Sequence, residues 1–324
     1  MADATRIRDA NDNRLTADAA IAAGEVWQLR NGRAAVYASL EAAASGDRAN
    51  FQDSGQYTVT KTATQVWTDG APIYWDHSAN AATVIPPMGA ADKDFFIGCA
   101  VGDAASADVT GAVNLNVLPV YEIDLSRDAF AAIVVKTVVG STTVEVPHVE
   151  PRGGGAGFVL GATAEAQKVD LLSERSFALA SNWIVEGEVN VITNGTGAAI
   201  DFNIGVANAT HATDADAITN HVFLHTDGAA LDIFAQSKDG TTTVTATDTT
   251  ANFVAGTPFS FVIDGRDPAD VQIYIDGVLQ LTATVFNVAA AAGPLKLLAH
   301  VEKTSDAATG FYVVNKLRVR TGQQ

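Results

Sequence analysis

Apolar and polar residues alternate along most of the second half of the chain. Trp183, Val185, Val189 and Val191 share one parity of the run 183–193, and Ile200, Phe202, Ile204 and Val206 share one in the next. Phe259, Phe261 and Ile263 form a third stripe, and Val271, Ile273 and Ile275 a fourth. A period of two sends successive side chains to opposite faces, so these runs predict half-buried strands. The fourth stripe leads into Asp276-Gly277 and then Val278-Leu279. That is a hairpin signal, because a type I′ turn needs positive φ at both turn residues. Asp239-Gly240 predicts a second such turn. In the last run, 311–320, the same parity points Val313, Leu317 and Val319 inward and Lys316, Arg318 and Arg320 outward. Roughly 165 residues of long alternating strands predict a two-sheet sandwich of jelly-roll type.

The first third carries shorter strand signals at 25–29, 32–39, 56–62, 72–76, 95–101 and 112–117, separated by Gly, Asp and Asn turns. Residues 15–23 read as one short helix or an ordered arm. In the middle, 121–130 can hold a helical turn, and 132–139 with 142–146 read as a hairpin around Gly140-Ser141. The stretch 147–157 holds two prolines and four glycines, which predicts neither a helix nor a central strand. The expected fold is therefore all-β: a small β-rich domain over 1–118, a connecting hairpin and Gly/Pro-rich linker over 119–156, and a jelly-roll domain over 157–324.

Charge removes two classes of partner. Among 324 residues, 37 acidic side chains outweigh 20 basic ones, for a net charge of -17. The excess is spread as -6, -2 and -9 over the three segments. Nucleic acid is excluded as a direct ligand, since phosphate binding needs clustered cations. Docking on an anionic membrane surface is excluded for the same reason. The start, Met1 to Asp9, has no apolar signal core, and no run approaches the roughly 20 apolar residues of a membrane span. The expectation is a soluble chain made in the cytoplasm. The single cysteine, Cys99, sits in an apolar run and reads as a small buried hydrophobe.

Candidate chemistry is sparse. Glu186 and Glu188 lie two apart on one strand, so their side chains share a face about 7 Å apart. That is near the spacing of glycosidase carboxylates. The pair is the candidate for glycan binding, against a plain solvated outer face. His221 and His225 are four apart, but on a strand that is about 13 Å, too far for one metal ion to bridge. Asp264, Asp267, Asp270 and Asp276 offer hard oxygen ligands of the kind that bind calcium, but without EF-hand spacing, and they read first as turn residues with calcium as the alternative. No Gly-x-Ser-x-Gly elbow and no phosphate cradle occurs. The expectation is no catalytic residue, no metal, no cofactor and no enzyme.

Residues 10–118 contain an ordered series of segments. Leu15-Thr16-Ala17 is followed by Gly24-Glu25-Val26, Gly55-Gln56-Tyr57-Thr58-Val59 and Gly70-Ala71-Pro72-Ile73-Tyr74-Trp75-Asp76. Ala82-Thr83, Phe96-Ile97-Gly98-Cys99-Ala100-Val101 and Gly111-Ala112-Val113-Asn114-Leu115 complete it. The series resembles the head-decoration, or capsid cement, domain of tailed bacteriophages, with its Gly-x-Pro-Val-Tyr-Trp-Asp and Ile-Gly-x-Ala segments. The resemblance implies a virion protein on the outer capsid surface, bound to the major capsid protein and to itself as a trimer. Such a protein stabilises the head against internal DNA pressure and does no covalent chemistry. Arg6, Arg8 and Arg14 on an N-terminal arm, with Tyr74 and Trp75, are the capsid-contact candidates. Tyr74 and Trp75 point to opposite faces of their strand, so one can fill a core while the other meets a neighbour.

The second half is similar to laminin-G/concanavalin-like jelly rolls. Val271-Gln272-Ile273-Tyr274-Ile275-Asp276-Gly277-Val278-Leu279 matches their Val-x-Leu-Tyr-Val-Asp-Gly hairpin. Trp183 to Val189 resembles their first long core strand, and Lys316 to Arg320 their last. Some members bind glycans or calcium and others only pack or spread over a surface, and the resemblance makes host or environmental glycans a further expected partner. A head-fibre or tail-associated adhesin is the alternative function, and a jelly-roll glycan hydrolase the more distant one.

Overall fold

The computed structural model describes residues 4–6, 12–86, 94–125, 134–141, 143–150, 153–195, 200–227 and 231–322. The chain divides into two compact units, Met1–Val120 with Asp276–Val278 and Tyr121–Ile275 with Leu279–Gln324. Both are built from strands that pair antiparallel, and the second also holds a 3-10 turn, Ala215–Ala217, among the described residues.

The first unit has two sheets. The six-stranded one runs in space as β1 (Ala4–Arg6), β6 (Gln56–Thr60), β10 (Thr110–Leu115), β9 (Phe95–Ala100), β7 (Pro72–Asp76) and β8 (Ala81–Thr83). The four-stranded one runs as β2 (Asp12–Thr16), β5 (Arg48–Gln52), β4 (Ala34–Tyr37) and β3 (Val26–Gln28). Tyr57, Trp67, Ile73, Trp75, Ile97 and Val113 pack with Val26 and Val36 into one core. Ala35, Tyr37 and Phe51 belong to a second core with Ile21 and Leu29. The small sheet is thus apolar on both faces, which is why all four residues of β4 are buried. Asn116 joins the two sheets: its Nδ2 donates to the carbonyls of Ala34 and Asp53, and its Oδ1 accepts from the Ala34 amide. Residues 15–23 form no helix. Ala17 bonds the Asp47 carbonyl and Ile21 bridges Ala43, so the segment continues β2 along the sheet.

The second unit is a two-sheet sandwich. One sheet is ordered β13 (Thr143–Glu150), β14 (Gly153–Leu160), β25 (Gly310–Thr321), β16 (Trp183–Thr193), β21 (Phe259–Gly265), β22 (Gln272–Ile275) and β23 (Val278–Leu279). β11 (Ile123–Asp124) also pairs with β25. The other sheet is ordered β12 (Val134–Val139), β15 (Glu165–Ser173), β24 (Lys296–Asp306), β17 (Ile200–Ala207), β18 (Asn220–Asp227), β19 (Asp232–Asp239) and β20 (Thr243–Asn252). Their apolar stripes meet in one large core that includes Trp183, Val185, Phe202, Ile204, Phe261 and Ile263. Burying a side chain of this size contributes roughly 1.5–3 kcal/mol, so this core dominates the unit's stability.

Four expectations are corrected. First, 119–156 is no linker, since β11 to β13 and the start of β14 are strands of the sandwich. Pro147 is tolerated because β13 is an edge strand, with a bulge between Glu145 and His148. Gly155 is required there, because a Cβ on it would lie 2.2 Å from the Val314 carbonyl oxygen on β25. Second, β12 and β13 are not a hairpin. β12 pairs with β15 and β13 with β14, so the chain crosses from one sheet to the other at Gly140-Ser141. Third, the register between β16 and β25 shifts between Glu188 and Val189, which opposes Lys316 to Glu188 and Val314 to Val189. The extra residue flips the parity, so Tyr312 and Val314 join the core in place of Val313. Fourth, only Asp276-Gly277 is the two-residue turn expected, with φ of 47° and 79°. At Asp239 the loop is longer: the Asp239 amide bonds the Thr242 carbonyl and its Oδ1 accepts from the Thr241 and Thr242 amides. The helical turn expected within 121–130 falls largely on residues outside the described set.

Candidate functional sites

In the first unit, the capsid-contact candidates separate. The backbones of Arg6 and Arg14 lie in β1 and β2, and Arg8 is outside the described residues. Trp75 is 1% exposed and belongs to the core, so it is no surface contact. The strand alternation that buries Trp75 turns Tyr74 outward. Tyr74 is half-buried and packs edge-on against Phe96 at 5.8 Å, directly across β7–β9. A separate groove of about 430 Å³ is lined by Leu15, Ile21, Trp27, Leu29 and Phe51, with Arg30 at its rim. Arg30 forks onto both carboxylate oxygens of Asp18 at 3.0 and 3.1 Å.

Glu186 and Glu188 do share a face of β16, opposite the core, but the structure closes them to a sugar. Glu186 accepts from the Tyr121 hydroxyl at 2.7 Å and from Arg320 Nε at 2.9 Å. Glu188 is 1% exposed and accepts from Asn315 Nδ2 and from Lys316 Nζ at 2.9 Å. Arg318 pairs with Asp124 at 2.8 Å and lies over the Tyr121 ring. The outer face of this sheet is therefore a ladder of mutually neutralised charges. Each carboxylate is committed to a cation and Glu188 is buried, so the pair presents no open carboxylates to a sugar, which corrects their standing as glycan or hydrolase candidates. Of the four aspartates between 264 and 276, Asp264 accepts from the amide and guanidinium of Arg266, and Asp267 accepts from the Ala269 amide.

A convergence of polar groups lies on the other sheet, on the face turned away from the core. The connection 208–219 between β17 and β18 folds back over this face as a strap. Ala215 and Ile218 pack there against Leu172, Ala207, Phe223 and Leu298. Thr210 donates to Asp170 at 2.8 Å, and Lys168 Nζ donates to the His211 carbonyl. The strap brings Asp214 and Asp216 to residues held by strand register: Asp201 opposite Glu302, and Asn203 between His225 and His300. Carboxylate oxygens of Asp201, Asp214 and Glu302 lie within 4.8 Å of one another. The ligand atoms of Asp201, Asp216 and His225 satisfy the same limit.

Hydrogen bonds fix the orientations. Asn203 donates from Nδ2 to Asp201, while its Oδ1 faces His225 Nδ1 at 2.9 Å and Gln236 Nε2 at 3.2 Å. Gln236 also donates to Asp216 at 2.5 Å. His225 Nδ1 is 3.1 Å from Asp201 and 3.8 Å from Asp216. His221 plays a different part. Its ring stacks on Phe223 at 4.5 Å, its Nδ1 donates to the Ile218 carbonyl, and burial pushes its pKa down to about 4. The sequence did not show what surrounds His225. Positions 201, 214, 216, 225 and 302 form no motif, and only topology joins them.

Residues 7–115 match the family described as "Phage cement protein". That match supports a structural protein of a phage particle. No curated protein matches the chain. Solved structures similar to it include the carbohydrate recognition domain of Emp47p, at 11% identity and a TM-score of 0.43, over 60% of this chain and 90% of that one. A protein of unknown function from Shewanella oneidensis MR-1 is similar at 14% identity and a TM-score of 0.42, over 59% and 79%. A carbohydrate esterase of the Shiga toxin-encoding bacteriophage phi24B is similar at 12% identity and a TM-score of 0.37, over 59% and 90%. Among the described residues, no helix is long and apolar enough to cross a membrane.

Proposed function

We propose that this protein is a capsid decoration protein: its first unit grips the outer face of a phage head, and its second unit projects outward. The observation that carries the reading is the match of residues 7–115 to the phage cement family. The mechanism is mass action on a lattice. Each bound copy stabilises the capsid state it binds, and many symmetric contacts add. The contact surface includes Tyr74 and Phe96, a pair of half-buried aromatics on the outer face of β7 and β9, since such rings supply most of the energy of small interfaces. The working assembly is a trimer on the major capsid protein, and the chain does no covalent chemistry. The net charge of -17 suits dense display, because like-charged particles repel.

The deciding experiment is the copy number in purified particles, by quantitative mass spectrometry against the major capsid protein. Hundreds of copies in fixed ratio to the capsid subunit support decoration. A handful of copies moves the protein to a fibre or tail, with glycan adhesion as its main task. Its absence from particles overturns the proposal.

A further inference from the structure

We infer that Asn31 is a site of spontaneous deamidation, where the folded chain converts an uncharged amide into a carboxylate on the rim of the Trp27 groove. The reaction favours Asn-Gly pairs. The backbone nitrogen of the following residue attacks the side-chain carbonyl carbon, and glycine, with no Cβ, obstructs that approach least. The chain holds two such pairs, Asn31-Gly32 and Asn194-Gly195. The fold treats them oppositely.

Arg30, Asn31 and Gly32 form the loop that joins β3 to β4, and all are exposed. Two backbone bonds close the loop: the Leu29 amide donates to the Arg33 carbonyl, and the Gly32 amide to the Leu29 carbonyl, each at 2.8 Å. Gly32 has φ of +83°, and nothing lies within 4 Å of where a Cβ would stand. Asn31 Oδ1 accepts from the Arg33 amide at 3.0 Å. That bond folds the side chain back along its own backbone and draws electron density from Cγ, the carbon to be attacked. Closing bonds at an exposed loop tip open at little cost, which frees the Gly32 nitrogen to react. Asn194 has the same neighbour without this freedom. It is 9% exposed, and its Oδ1 accepts at 2.6 Å from the hydroxyl of Tyr312, whose buried ring stacks on Phe202. A side chain so held does not swing onto its own backbone.

The reaction needs only water. Hydroxide takes the proton of the Gly32 amide, the bond from that nitrogen to Cγ forms, and the Cγ–Nδ2 bond breaks. The departing nitrogen takes a proton from water and leaves as ammonia. Water then opens the succinimide ring at one carbonyl or the other, giving aspartate or isoaspartate. This is chemistry that the chain undergoes, and no substrate is involved. The new carboxylate stands beside Arg30, whose guanidinium forks onto Asp18, and competes for it. Asn31 and Arg30 both line the groove with Trp27 and Leu29, so an aged copy carries an added negative charge there. Isoaspartate also lengthens the loop by one backbone carbon and misaligns the bonds that close it. The inference stands on this hairpin and not on the capsid reading, so the copy number in particles leaves it untouched.

The test ages the full folded chain in mildly alkaline buffer and follows its chymotryptic peptides by mass spectrometry. The Asn31 peptide should gain the mass of an amide-to-acid exchange at least tenfold faster than the Asn194 peptide. In chain unfolded by urea the two peptides should convert at similar rates, since only the fold distinguishes them. Asn31→Gln should remove the fast conversion and leave the slow one unchanged. An Asn31 peptide that keeps its mass in the folded chain overturns the inference. Equal rates at Asn31 and Asn194 in the folded chain overturn it as well.

Discussion

Gly98 on β9 faces Asn114 on β10 so closely that a Cβ on Gly98 would lie 1.9 Å from the Asn114 carbonyl oxygen. The backbone there also has φ of +148°, which L side chains rarely adopt. The glycine of the Ile97-Gly98-Cys99-Ala100 segment therefore sets strand proximity. Gly98→Ala must push β9 off β10, and it should cost about 3 kcal/mol or more of the first unit's stability. Gly102 is the control: its φ is +74°, but nothing lies within 4 Å of the added atom. Gly102→Ala should cost only about 1–2 kcal/mol, the backbone penalty alone. Chemical denaturation of both variants separates the two effects; equal losses would mean that contact with Asn114 is not what demands glycine.

Tyr74 and Trp75 are neighbours with opposite tasks. Trp75 fills the core, so Trp75→Ala should cost about 3–5 kcal/mol and unfold or loosen the first unit. Tyr74→Ala removes an outward ring that packs mainly on Phe96, so the fold should survive with a loss near 1 kcal/mol. Its effect should appear instead in sedimentation with capsids lacking the protein, as at least a tenfold weaker association. A Tyr74→Ala variant that binds capsids like the wild type would move the contact surface elsewhere on the unit, with the Trp27 groove next in line.

What the sequence disclosed and what it hid follow one physical line. Strands whose neighbours obey a strict period of two were legible: Pro72–Asp76 and Trp183–Thr193 are observed with the bounds expected. The Asp276-Gly277 turn was legible because its chemistry is local. Edge-strand tolerance was not. Pro147 and Gly155 look like breakers until β13 is seen at a sheet edge and β14 pressed against β25. The parity flip near Asn315 was hidden for a similar reason, since a bulge belongs to a pair of strands and one strand alone does not reveal it. The strap cluster was the least accessible. Asp201 and Glu302 are 101 residues apart in sequence and meet through the register of β17 with β24.

Glu188 tests the closed reading of the β16 face. It is buried and paired with Lys316, so Glu188→Gln leaves a partly buried ammonium without its anion. The expected cost is about 2 kcal/mol, less than for a fully buried pair because Lys316 keeps some solvent. Lys316→Met in the same background should recover part of the loss, and a double-mutant cycle by denaturation reads the coupling. Neither the wild type nor Glu186→Gln should release sugar from polysaccharide substrates. Sugar release that Glu186→Gln abolishes would restore the pair as a catalytic site.

His221 supplies a pH dependence with a definite sign. The ring is buried against Phe223, and burial lowers its pKa from 6.5 to about 4. The folded state therefore binds fewer protons than the unfolded state between those two values. Stability is complete above pH 6.5 and falls as the pH drops from 6.5 to 4, where the folded ring itself takes the proton. The shift corresponds to roughly 3 kcal/mol over that window. Asp214 and Asp216 on the strap favour the protonated ring and Lys238 disfavours it, but desolvation outweighs them. Replacing the ring with a side chain that does not titrate removes this component: in His221→Gln, Tm should decline less steeply between pH 6.5 and 5 than in the wild type. That upper part of the window is the informative one, because most carboxylates are still ionised there. Parallel declines in the two proteins would show that His221 is not the group being titrated.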